Sequence, residues 1–142
     1  MEKKEIVKYA GEIRDYFGTS DPFRIAAQLG ITVEFRRYSQ AVKGYYRKIF
    51  EKLYIIINEN YSCKSQKIIC AHELGHALLH TDFTEKVASL SFEDYDADGL
   101  ELEANLFAAA LLIDQELLSS NLASLDNYIL RGIFEENMQF TG

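Results

Sequence analysis

The chain has 142 residues, 48% of them hydrophobic and 13% aromatic, and a formal net charge of −7. That length suits a single domain burying about two thirds of its unfolded surface, and the acidic balance argues against direct binding to nucleic acid, leaving a protein as the expected partner. No apolar stretch approaches the roughly 18 residues of a membrane span and the charged start Met1-Glu2-Lys3-Lys4-Glu5 has no apolar run behind it, so the expected location is the cytoplasm.

Two helices are predicted first, over Lys3 to Phe17 and Pro22 to Leu29, the second capped by Ser20 or Asp21 with Pro22 at its first position. Three strands follow. Ile31 to Phe35 alternates, Val42 to Ile49 is aromatic and basic, and Leu53 to Ile57 is a short apolar run stopped by Asn58. The fold class expected is α+β, mostly helical, with a three-stranded antiparallel sheet packed on the helix that comes next. Arg36, Arg37, Lys43, Arg47, Lys48 and Lys52 crowd the strand region, either as the solvated side of a hairpin or as a surface that orients a substrate.

Ser62 opens a run in which Ile68, Ile69, Ala71, Leu74, Ala77, Leu78 and Leu79 recur at helical spacing, predicting a helix to His80. In its middle lie His72, Glu73, Leu74, Gly75 and His76, an HExxH motif. Residues four apart share a helix face, so the two imidazoles can reach one Zn²⁺. Glu73 sits on the flank of that pair, where its carboxylate can take a proton from an attacking water. Gly75 costs about 1 kcal/mol relative to Ala inside a helix, which predicts close packing there against the metal site or a neighbouring strand. Cys63 and Cys70 are about 10 Å apart along the same helix and are expected to be reduced, with metal ligation by Cys70 a minor alternative.

Thr81 to Gly99 has little periodicity and reads as a loop or lid beside the site. Its Asp94-Tyr95-Asp96-Ala97-Asp98-Gly99 imitates the start of an EF-hand, but a true loop of that kind would place a bidentate Glu where Asn105 stands, so calcium is rejected. Then comes Glu101-Leu102-Glu103-Ala104-Asn105, followed by an apolar run to Ile113, which predicts a second site helix over Leu100 to Ile113. Glu101 and Asn105 share a face, with Glu103 turned away by about 200°. Glu101 is thus the preferred third ligand over Glu103, and Asn105 is placed to hydrogen-bond a ligating histidine. Two histidines and a carboxylate leave a position open for water, the pattern of a catalytic zinc site. A last helix is predicted over Leu122 to Asn137.

HELGHALLH followed after about twenty residues by ELEANLFAAALL resembles the ImmA/IrrE-type metallopeptidases, small bacterial and phage proteins with a gluzincin-like site. The resemblance covers about residues 20 to 113, taking in Asp21-Pro22-Phe23, Leu29-Gly30-Ile31, Gly44-Tyr45-Tyr46 and Leu53 to Asn58, and leaves 114–142 as a C-terminal helical extension. Carried over by position, it implies His72, His76 and Glu101 as zinc ligands and Glu73 as the catalytic carboxylate. It also implies an anti-repressor that cleaves a helix-turn-helix repressor. Where the family continues with Met-Pro, this chain reads Leu112-Ile113-Asp114.

The reaction implied is zinc-assisted peptide hydrolysis with Glu73 as general base and later acid. A donor to the developing oxyanion is left open between His80, Tyr45, Tyr46 and Tyr95, and for His80 the end of a helix is itself a sufficient structural reason. The competing expectation is a zinc-containing module that sequesters a repressor or antitoxin without cutting it.

Overall fold

The computed structural model describes residues 1–80, 99–113 and 122–142. Glu2 and Glu5 close a reciprocal capping box at the head of α1 (Lys3–Phe17), and Gly18 ends it in the left-handed conformation at φ 67°, where a residue without Cβ is favoured. Asp21 caps α2 (Pro22–Gln28) by accepting from the Phe23 amide at 3.0 Å, with Pro22 in the first helical position. Both starts follow from residues legible in the chain.

The sheet has strands β1 (Thr32–Arg36), β2 (Gly44–Ile49) and β3 (Lys52–Asn58) in the order β1-β3-β2. β2 and β3 pair antiparallel, but β1 and β3 pair parallel. The expectation of an antiparallel sheet is therefore corrected: the sheet is mixed. Phe50 and Glu51, at φ 47° and 68°, form a two-residue turn that forces β2 and β3 to be neighbours of opposite direction. Residues 37–43 swing the chain out beyond that position, leaving a slot one strand wide that β3 fills beside β1. Asn58, fully buried, holds this link. Its amide donates to the carbonyls of Tyr38, Ser39 and Val42, and its Oδ1 accepts from the amides of Tyr38 and Asn60.

Ser62 caps α3 (Cys63–Leu79) by accepting from the Ser65 amide at 3.2 Å. Eleven of its residues are buried, more than one face can supply, so the helix needs neighbours on several sides. It has them in β2, β3, α2 and α4 (Leu100–Leu112). Gly44, at the start of β2, lies so close to α3 that a Cβ would stand 2.6 Å from Ile69 Cγ2 and 2.8 Å from the Ile56 carbonyl. α4 is buried along most of its length by α1, α3 and α5 (Asn127–Glu136). Arg14 of α1 donates to the Ala110 carbonyl at 2.9 Å, supplying a partner to the last turn of α4.

The final helix is shorter than the expected span from Leu122. A 3₁₀ turn over Leu122–Ser124 comes first, and α5 starts only at Asn127 because Asp126 accepts from the Ile129 amide at 3.0 Å and caps it there. The chain end is pinned beside the start of α3: the amides of Ser62 and Thr141 donate to Gln139 and Asn60 carbonyls at 2.8 and 2.6 Å. No helix among the described residues is long and apolar enough to cross a membrane.

Candidate metal centre

One turn of α3 carries His72, Glu73 and His76, all with no exposed surface. The imidazole rings of His72 and His76 lie with centroids 4.8 Å apart, edge to face. From α4, Glu101 reaches both: Oε2 is 3.0 Å from His72 Nε2 and Oε1 is 3.1 Å from His76 Nε2. The approach depends on Gly75, where a Cβ would meet the Ala104 backbone and Phe107 at 3.2 Å. Of the two partners expected at Gly75, the metal site or a strand, the contact falls on the site side, against the backbone of the helix that carries Glu101. Without a side chain at Gly75 the two helices come close enough for a carboxylate on one to span two imidazoles on the other.

One donor atom from each of His72, His76 and Glu101 lies within 4.8 Å of the others, and all three residues are buried. Two imidazole nitrogens and a carboxylate are the donors zinc prefers in open, catalytic sites. The trio fits a metal ion. Electrostatics in the protein alone point the same way: burial opposes charge on Glu101, yet the close approach of the His72 and His76 imidazoles outweighs it and holds the carboxyl well below its usual range. Burial likewise works against a charged His72, but Glu101, with Glu73 and Asn105, raises its pKa on balance. His76 goes the other way, to about 4, through burial and its neighbours His72 and His80, against the pull of Glu101.

Behind the trio is a layer of hydrogen bonds that orients the imidazoles. His72 Nδ1 is 2.7 Å from Asn105 Oδ1, and the Asn105 amide donates to Asn127 Oδ1 of α5 at 2.8 Å. Nothing in the sequence singled out Asn127, which is brought in by the packing of α5 on α4. His76 Nδ1 is 2.9 Å from His80 Nδ1, and His80 Nε2 is 2.8 Å from Glu103 Oε1. A histidine offering Nε2 to a metal carries its proton on Nδ1. The consistent assignment has His72 donating to Asn105, His76 donating to His80, and His80 donating through Nε2 to Glu103. Glu103 lies 4.0 Å from the α-amino group of Met1 and outside the His72, His76 and Glu101 cluster.

Of the aromatic candidates, Tyr46 is packed on the site. It is 1% exposed and stacks on the His76 imidazole with centroids 5.5 Å apart and planes 19° from parallel. Burial and the charges of Glu73 and Glu101 push its pKa up to about 12. Tyr45 points elsewhere, its hydroxyl paired with that of Tyr38 at 2.6 Å. Tyr95, the proposed lid and the EF-hand-like acids lie outside the described residues, apart from Gly99 at the head of α4.

Both cysteines are free; Cys70 is buried, burial pushes its thiol up, and it is not part of the His72, His76 and Glu101 cluster. Four of the basic residues in the strand region lie in ion pairs: Arg36 with Glu34 at 3.0 Å, Arg37 with Glu59 at 3.1 Å, Lys43 with Glu135 of α5 at 3.7 Å and Lys48 with Glu51 at 3.4 Å.

Two imidazoles from one turn of a buried helix and a carboxylate from the helix packed on it offer three donors that could hold a metal ion in the manner of metal-dependent hydrolases. Residues 26–137 match the IrrE N-terminal-like domain, and the chain belongs to that ImmA/IrrE family of peptidases. The match runs on through α5, beyond the stretch up to residue 113 that the motifs alone covered. Over 107 residues the chain is 33% identical to "Uncharacterized immunity region protein 2" of Bacillus phage phi105, covering 72% of this chain and 65% of that one. Over 82 residues it is 35% identical to "Metallopeptidase ImmA" of Bacillus subtilis strain 168, covering 57% of this chain and 46% of that one. The aligned part thus spans less than two thirds of either relative.

Proposed function

We propose that this chain is a cytoplasmic zinc-dependent endopeptidase that makes a specific cut in a regulatory protein, a helix-turn-helix repressor, and so acts as an anti-repressor. The observation that carries the reading is the buried convergence of His72, His76 and Glu101 with Glu73 on the same turn of α3. Family membership supports peptide hydrolysis, and the resemblance to ImmA/IrrE-type proteins supports the repressor as substrate.

In this reading His72, His76 and Glu101 would hold the ion, which when bound supplies Lewis acidity toward the scissile carbonyl and the attacking water. Glu73 takes the proton that the water gives up as its oxygen bonds to the carbonyl carbon. The same carboxyl then delivers that proton to the nitrogen as the C–N bond breaks. Asn105 keeps His72 in the tautomer that presents Nε2, and His80 does so for His76. The core of α3 and α4 around these groups excludes water, which strengthens each of the hydrogen bonds involved.

Glu73→Gln separates this reading from a module that binds a partner without cutting it. The carboxamide cannot accept the proton but leaves His72, His76 and Glu101 intact. Mass spectrometry of a candidate repressor incubated with each protein, with zinc or with chelator, should show one cut that needs both zinc and Glu73. An intact repressor that co-purifies equally with both proteins would establish the binding module instead.

A further inference from the structure

We propose that Tyr46 is a catalytic residue whose hydroxyl donates a hydrogen bond to the oxyanion formed on a carbonyl group held beside His72, His76 and Glu73; this rests on the peptidase reading above. Tyr46 faces α3 from β2, on the same side as Gly44, while Lys48 is exposed. Its ring is fixed against the His76 imidazole. The hydroxyl oxygen is buried and has no hydrogen-bond partner among the described residues.

A buried phenol without a partner is unfavourable, and phenylalanine would fill the same space without that penalty. The missing partner is then supplied by what binds. A phenol at neutral pH is protonated and therefore a donor, as an oxyanion requires. Other candidates are committed: His80 has both ring nitrogens engaged by His76 and Glu103, Asn105 is spanned by His72 and Asn127, and Tyr45 is bonded to Tyr38. No proton is transferred by Tyr46 in this role; it stabilises charge on the oxygen while Glu73 handles the proton.

The test uses the full chain loaded with Co²⁺, whose visible bands report ligands, and acetohydroxamic acid as a probe carrying an anionic oxygen to the metal. Tyr46→Phe should weaken the probe about tenfold or more, the worth of one hydrogen bond to a charged acceptor. Co²⁺ stoichiometry and affinity should match wild type, and the metal-free variant should melt at the same temperature or higher, because only an unpartnered hydroxyl has gone. Unchanged probe affinity overturns the proposal, as does failure of the Co²⁺-loaded wild type to bind the probe. A metal-free Tm several degrees below wild type also overturns it, since the hydroxyl would then be a structural group. Wild type that takes up no Co²⁺ would instead overturn the peptidase reading itself.

Discussion

The Nδ1 atoms of His76 and His80 lie 2.9 Å apart, one turn from each other on α3. This pair, continued to Glu103 at 2.8 Å, fixes which nitrogen of His76 faces the site. His80→Ala should weaken metal binding about 10–100-fold by freeing the His76 ring. Glu103→Gln should have a smaller effect in the same direction. A competition titration against a chromophoric chelator measures both, and wild-type affinity in His80→Ala would show that packing alone orients His76.

Metal uptake should expel a proton. In the metal-free site Glu101 raises the pKa of His72, and any proton on Nε2 must leave before that nitrogen can bind an ion. Calorimetry in buffers of different ionisation enthalpy should find proton release on metal uptake that grows as pH is lowered through that raised pKa. The sign follows: protonation of His72 competes with metal, so affinity falls as pH is lowered through its raised pKa and levels off above it. Release of no proton at neutral pH would mean that His72 is already neutral.

Three glycines should respond differently to one methyl group. At Gly44 the Cβ would press 2.8 Å from a strand carbonyl, and Gly44→Ala should cost about 2–3 kcal/mol as overpacking. At Gly75 the contacts are 3.2 Å; a gain of about 1 kcal/mol in helix propensity then partly offsets the clash, leaving a loss of about 1 kcal/mol. Gly132, exposed on α5 with nothing within 4 Å, should instead be stabilised by about 0.5–1 kcal/mol as alanine. Denaturant unfolding of the three variants checks the order.

Asn58→Ala removes the side chain that ties residues 38–42 to the end of β3. It leaves the Tyr38, Ser39 and Val42 carbonyls without that donor beneath a buried position. A loss of about 2–4 kcal/mol is expected, and hydrogen exchange should show the 37–43 link opening first.

The helices were legible because their signals are local. Pro22 after Asp21, Ser62 before an apolar period, and Glu101 with Asn105 on one face each name a start or a face within a few residues. Strand order was not legible: alternation in Ile31 to Phe35 marks a strand but not which strand lies alongside, and the parallel β1–β3 pair depends on the path of residues 37–43. The end of the last helix was legible and its start was not, because Asp126 competes with the earlier run for the cap.

From the chain alone came the donor types and their spacing: His72 and His76 one turn apart, Glu73 beside them, and a carboxylate on a second helix. Helical geometry determines such relations within one element, so they survive any packing. Tertiary structure decided the relations between elements. Gly75 against Ala104 brings Glu101 onto both imidazoles, while Glu103 reaches His80 instead, and Asn127 and Tyr46 arrive from α5 and β2. Those contacts depend on how close two backbones can come and on which buried polar group lies opposite, quantities that no residue encodes by itself.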